Sequence, residues 1–277
     1  MLVPAVETSS IDPTVAAVSL RGLTRSFRSE TGTYTAVKDI NFEARAGSFL
    51  SLVGPSGCGK STILNMIAGL LTPTTGIVEI FEAPLRGLNK RASYMFQQDS
   101  LLPWKTVEEN IGLGLQFRGR DRRQAIELAG AWVRRVGLEG FEKSYPYQLS
   151  GGMRKRVSMA QSWIVDPDII LMDEPFAALD IHTRQRMEGQ ILDLWAGSGK
   201  TVLFITHDLE EAISLSDQVI VLSAGPASSI VGSHYVDLPR PRSLIDIKTD
   251  PRFAELYRII WSDLRHEVLK SYERSRA

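Results

Sequence analysis

The chain has 277 residues, 43% of them hydrophobic, and its 32 basic and 32 acidic side chains leave no formal net charge. That balance argues against a polyanionic partner such as nucleic acid, and the length allows one large domain or a domain with a small appendage. The single cysteine, Cys58, excludes an intrachain disulfide and fits a reducing compartment. No apolar run approaches the ~18 residues of a bilayer span, and the start lacks a basic, long-apolar leader. The expectation is a soluble, cytoplasmic chain that needs a partner protein for any membrane role.

Residues 1–16 mix Ser, Thr, Pro and acidic side chains and read as a loose, flexible tail. Alternation over 18–23 and 40–44 predicts strands, with Thr31, Gly32, Thr33 and Tyr34 as a turn between them. A buried strand is expected over 48–53, then a glycine-rich loop and a helix over 61–71. Turn residues Thr72 to Gly76 lead into a strand over 77–81, and a short strand over 93–96 runs into Gln97. Helices are predicted over 107–118, 121–136 and 151–164, the second charged on one face and the last ended by Asp166 and Pro167. The unbroken apolar run 169–172 is that of a strand covered on both faces. There follow a helix over 181–195, a strand over 201–205, and a helix over 209–215 with Asp208 as N-cap and Glu211 completing a capping box. A strand over 219–222 precedes a long terminal helix with Pro251 at its first position. Strands alternating with helices predict an α/β domain with a largely parallel sheet.

The most informative stretch is Gly54-Pro55-Ser56-Gly57-Cys58-Gly59-Lys60-Ser61-Thr62. It matches G-x-x-x-x-G-K-[ST], between a strand and a helix, which is the context a phosphate-binding P-loop requires. Glycines let the backbone curl until several N–H groups point at one spot, and a helix starting there adds its positive end. Lys60 supplies a point charge for the β- and γ-phosphates, and Ser61 a hydroxyl for Mg²⁺. Downstream, the run 169–172 ends in Asp173 and Glu174. An acid at this strand end holds Mg²⁺ in P-loop enzymes, a role that suits Asp173, and Glu174 is placed as general base for an attacking water. Between these motifs, Ser150-Gly151-Gly152 at a predicted helix start forms another anion site. Two phosphate-binding helix starts in one chain are hard to use on one ATP.

At Leu149-Ser-Gly-Gly-Met-Arg154 the chain resembles the ATP-binding subunit of ABC transporters, with Met153 where glutamine is common. The resemblance spans roughly residues 17–270. It implies a P-loop NTPase fold of the ABC nucleotide-binding type, with an antiparallel β subdomain and a helical subdomain at about 98–165. It also implies an ATPase domain over 17–240 and a helical extension over 241–277. It resolves the two helix starts by head-to-tail dimerisation, the signature Ser150, Gly151 and Gly152 of one copy covering the γ-phosphate held by the P-loop of the other. By the same resemblance, Gln97 corresponds to the Q-loop glutamine near Mg²⁺ and water, and its loop to the contact with a membrane partner. Ala178-Leu179-Asp180 corresponds to the D-loop, and His207 to the switch histidine at the γ-phosphate. Phe27 aligns best with the aromatic that stacks on adenine, with Tyr34 as its rival. His182, His234 and His266 read as surface or packing residues. Cys58, at a variable P-loop position, is expected to affect thiol sensitivity rather than chemistry, although a helix N-terminus can lower a thiol pKa.

Within the family, Met153-Arg154-Lys155-Arg156, Leu101-Leu-Pro-Trp104 and the tail from Asp250 resemble importer subunits for nitrate, sulfonate, taurine and related solutes. The partners so implied are a second copy, integral membrane permease subunits and, indirectly, an extracytoplasmic solute-binding protein, at the cytoplasmic face of the inner membrane. ATP and Mg²⁺ are the implied ligands. An exporter ATPase, a non-transport ABC ATPase and a small-molecule kinase remain as rivals.

Overall fold

The computed structural model describes residues 15–29 and 32–276. The expected N-terminal tail falls largely on 1–14, and the turn at Thr31 begins outside the described residues.

Two long antiparallel strands come first, β1 (Ala16–Ser29) and β2 (Gly32–Arg45), each reaching well beyond the short alternating runs that predicted them. They extend because β1 is paired on both sides, with β2 and with β4 (Thr75–Ile80), and the register slips at bulges near Gly22, where φ is +60°. With β5 (Ala83–Pro84) they form a four-stranded sheet in the order β2-β1-β4-β5. The second sheet has six strands, ordered β10-β9-β3-β8-β7-β6. These are β3 (Phe49–Val53), β6 (Ala92–Met95), β7 (Ile169–Asp173), β8 (Thr201–Ile205), β9 (Gln218–Leu222) and β10 (Ile230–Tyr235). All neighbours pair in parallel except β10, which returns antiparallel to β9.

The apolar runs of the parallel strands divide by period two between two cores. Ile169, Leu171, Leu203 and Ile205 face Ile63 and Leu64 of α1 (Lys60–Ile67) and the first sheet. Ile170, Met172, Phe204 and Phe49 face the opposite layer, with α2 (Val107–Phe117), α3 (Arg122–Arg135), α4 (Gly151–Ile164) and α5 (Ile181–Trp195). Burial on both faces explains why these strands read as continuous rather than alternating. A third cluster joins α6 (Leu209–Leu215) and α7 (Pro251–Arg276) to β9 through Val219, Val221, Phe253, Leu256 and Ile260.

Helix α1 is shorter than predicted. It stops before Gly69, whose φ is +72° and where a Cβ would lie 1.9 Å from the carbonyl oxygen of Gly87. Only glycine passes there, so the chain turns four residues before the apolar run ends. The capping box of α6 is also half formed. Asp208 accepts from the backbone N–H of Glu210 and Glu211 at 2.8 and 3.3 Å, but the Glu211 carboxylate turns inward to Thr206 Oγ1 at 2.6 Å. Among the described residues no helix is long and apolar enough to cross a membrane.

Candidate functional site

Parallel strands share one carboxyl edge, and the loops leaving that edge are where ligands bind in open α/β sheets. Here β3 delivers the P-loop, β7 delivers Asp173 and Glu174, β8 delivers His207 and β6 delivers Gln97. The sheet order β3-β8-β7-β6 therefore gathers motifs that lie far apart in sequence.

The P-loop wraps from Gly54 into α1. Gly57 and Gly59 have φ of +76° and +92°, and α1 starts from Gly59 with no side-chain cap. A Cβ at Gly59 would come within 2.4 Å of Val37 Cγ1, so conformation and space both demand glycine. Pro55 and Cys58 are buried, whereas Ser56, Gly57 and Ser61 are exposed and Thr62 is half-buried. Lys60 is 5% exposed, and its ammonium donates to the carbonyl oxygens of Gly54 and Pro55 at 2.9 and 3.1 Å. The thiol of Cys58 is buried, and burial raises its pKa, opposing the neighbouring Lys60. Desolvation of the thiolate thus outweighs the lowering that a helix N-terminus can give.

Ser61 Oγ donates to Asp173 Oδ1 at 3.0 Å, and the Tyr94 hydroxyl donates to Asp173 Oδ2 at 3.2 Å. Burial pushes the Asp173 carboxyl above its ordinary range in spite of these two bonds. The same burial, with the Asp173 charge beside it, holds the Tyr94 phenol far above its ordinary pKa, so it stays a donor. Glu174 adopts φ +43°, a left-handed conformation rare for a non-glycine residue, and its N–H donates to Ile205 O at 3.0 Å. Its Oε2 lies 3.1 Å from His207 Nδ1. A carboxylate, an imidazole, an ammonium and a hydroxyl–carboxylate pair thus sit on one edge, the set needed to hold a polyphosphate and direct a water at it.

Gln97 is exposed at the end of β6, and its carbonyl accepts from Lys155 Nζ at 2.6 Å. Lys155 also pairs with Asp99 at 3.1 Å, as does Arg154. The segment after β6 is therefore pinned to the first turns of α4. Ser150 caps that helix, accepting from Met153 N at 3.3 Å, and stays exposed. Gly151 and Gly152 follow in the first turn, and a Cβ at Gly152 would lie 2.8 Å from Thr183 Cγ2 on α5. None of the hydrogen bonds or ion pairs of the described residues joins Ser150 to the P-loop group.

Phe27 and Tyr34 are direct cross-strand partners of the β1–β2 hairpin, so their rings share a face. The Arg25 guanidinium lies 4.6 Å over the Phe27 ring, and both aromatics are exposed. Sequence reasoning gave Tyr94 no role and took Lys155 only as part of the importer-like run Met153 to Arg156. Tyr94 meets Asp173 only through the pairing of β6 with β7, and Lys155, 3% exposed, carried one signal: a charge among the inward positions of α4.

A family model described as ABC transporter matches residues 37–177, just over half of the chain. The chain is 43% identical over 254 residues to an uncharacterised ABC transporter ATP-binding protein of Methanocaldococcus jannaschii, covering 92% of this chain and 93% of that one. It is 41% identical over 224 residues to the taurine import ATP-binding protein TauB of Yersinia pestis, covering 79% and 87%. To the aliphatic sulfonates import ATP-binding protein SsuB of Bacillus cereus it is 39% identical over 260 residues, covering 93% and 96%. A dimeric ATP-binding cassette, solved in a post-hydrolysis state bound to ADP and Pi, superposes with a TM-score of 0.71 at 31% identity, over 80% of this chain and 100% of that one. A P-loop, an acidic strand end and a neighbouring histidine on one sheet edge, together with these matches, assign the chain to the ATP-binding subunits of ABC transporters, and it hydrolyses ATP to drive transport.

Proposed function

We propose that this chain powers import of a small solute such as nitrate, an aliphatic sulfonate or taurine. The observation that carries the chemical part is the convergence of Lys60, Ser61, Asp173, Glu174 and His207 at the carboxyl edge of β3, β7 and β8. The names of the taurine and sulfonate relatives support the direction and the solute class.

In this reading the N–H groups of 57–62 and Lys60 hold the phosphates, with Gly54, Pro55, Ser56 and Cys58 shaping the loop. Moving Lys60 from the loop carbonyls to a phosphate exchanges neutral acceptors for a charged one. Ser61 and Asp173, already within a hydrogen bond of each other, are hard oxygen donors of the kind Mg²⁺ takes, with few protein ligands and the rest from phosphate and water. They would hold the ion, with Gln97 beside it, and the ion would neutralise charge on the transferring phosphoryl group. Glu174 accepts the proton of the attacking water, and His207 fixes its carboxylate and senses the γ-phosphate. Phe27, paired with Tyr34, offers the aromatic surface for adenine.

Ser150, Gly151 and Gly152 of a second copy complete the site. The dimeric cassette that this chain resembles supports such an arrangement. Closing and reopening of the dimer then passes through Gln97 to Trp104 to permease subunits, with a solute-binding protein acting on the far side and this chain on the cytoplasmic face. The Lys155 bonds to Gln97 and Asp99 favour transmission along this path, because they tie that segment to the signature helix.

The solute assignment is tested by uptake of labelled taurine, an alkanesulfonate and nitrate in cells with and without the gene. Loss of uptake of at least one of these is expected. Unchanged uptake of all three overturns the solute class while leaving the ATPase reading intact.

A further inference from the structure

The loop between β9 and β10, residues 223–229, is held from three sides. Towards β2, Ala227 N donates to Thr35 O at 2.6 Å, Ser228 N to Ala36 O at 3.2 Å, and Lys38 N to Ser228 O at 2.8 Å. Towards the P-loop, a Cβ at Gly225 would lie 3.1 Å from the Gly57 carbonyl oxygen and 3.8 Å from the Tyr34 hydroxyl. From behind, the loop is gripped by α7. Glu267 is 5% exposed, and its Oε2 accepts from Ala224 N at 2.8 Å. Lys270 Nζ donates to the other carboxylate oxygen at 2.5 Å, and the Arg274 guanidinium donates to the Gly225 carbonyl. Although burial opposes it, the bonds from Lys270 and Ala224 hold the Glu267 carboxyl below its ordinary pKa, so the grip is that of a carboxylate.

We propose that Glu267 and Arg274 of α7 are positioning residues for the nucleotide: by fixing the 224–227 loop against Gly57 and β2 they set the affinity for ATP. The inference rests on the P-loop being the ATP site. A buried carboxylate accepting a backbone N–H is a strong, directional contact. Removing it leaves the Ala224 N–H, itself in a buried residue, without its acceptor. The loop is then free to leave Gly57, and each binding event must first restore it, which lowers the apparent affinity by the fraction of time the loop is out of place. Chemistry at Glu174 lies on the far side of the P-loop, at β7, and depends on other contacts. The expected signature is therefore a change in KM and Kd, not in kcat.

The test uses the full chain, with ATP binding by calorimetry and hydrolysis measured in parallel. Glu267→Ala is expected to raise the ATP Kd and KM about five- to tenfold with kcat at saturation near the wild-type value. Glu267→Gln keeps an acceptor oxygen opposite Ala224 and recovers most of the affinity. Arg274→Gln, at the surface and safe for folding, raises KM about two- to threefold, and Tyr272→Ala, exposed on the same helix, changes nothing. Unaltered ATP affinity in both Glu267→Ala and Arg274→Gln overturns the inference, as does a fall in kcat with KM unchanged. Lys60→Ala in the same titration separates the two readings. If it binds ATP as well as wild type, the P-loop assignment fails. If it loses ATP while Glu267→Ala and Arg274→Gln retain it, only the role of α7 fails.

Discussion

The chain contains two glycine-rich helix starts, and they are built in opposite ways. At α1 the start is enclosed: Lys60 is buried against the loop's own carbonyls, Gly59 abuts Val37, and Ser61 is bonded to Asp173. No side chain caps the helix, so its first N–H groups are left for a ligand. At α4 the start is open: Ser150 is exposed and spends its hydroxyl capping its own helix. The contrast teaches that an anion site needs walls as well as N–H groups. The P-loop brings its walls within the chain, and Ser150 to Gly152 has them on one side only, where Thr183 closes against Gly152.

Substitutions can break this contrast, and the largest effect is expected where the enclosed start meets the acids. Glu174→Gln should slow hydrolysis by about 10²-fold or more while ATP binding persists, and size-exclusion in ATP should then show a dimer. A variant that stays monomeric would remove the reason for pairing the open start with the enclosed one. Lys60→Ala should weaken ATP binding itself by roughly 10- to 100-fold through loss of a charge-assisted contact, which calorimetry measures directly. Ser150→Ala should leave the ATP affinity of the isolated chain unchanged and lower turnover of the assembled transporter about tenfold. An affinity loss in the isolated chain would mean that both starts serve one nucleotide.

The smallest effect concerns stability on the side of the open start, in α5. Burial, reinforced by Glu211, pushes the carboxyl of Glu188 up to about 7. An acid with a raised folded-state pKa binds more protons folded than unfolded between its ordinary value and about 7, so this contribution to stability is present at low pH and is lost as pH rises through that window. Glu188→Gln should therefore raise Tm at pH 8 by about 2–5 °C, on the order of 1–2 kcal/mol, with the gain fading towards pH 5. A gain equal at both pH values would show that size and packing, not charge, decide this position.

The sheet edge was legible from sequence because its pieces are local. A strand followed by Gly54 to Thr62, a strand ending in Asp173-Glu174 and a strand before His207 each carry their own pattern, and parallel pairing does the rest. What was hidden depends on contacts between distant segments. Tyr94 reaches Asp173 only through the β6–β7 register, and the early end of α1 follows from the crossing of Gly69 and Gly87. Strand β10 has no apolar run of its own and exists as the antiparallel partner of β9. The direction of the Cys58 shift was hidden too, because a motif records neighbours in sequence, whereas the thiol pKa answers to burial. The grip of Glu267 on Ala224 spans 43 residues and leaves no local pattern.

The left-handed backbone at Glu174 has a further consequence. A glutamate held there costs on the order of 1–3 kcal/mol that glycine or asparagine would largely avoid. Glycine or asparagine would relax the backbone here, so under the role proposed for Glu174 the chain trades durability for turnover at this one position.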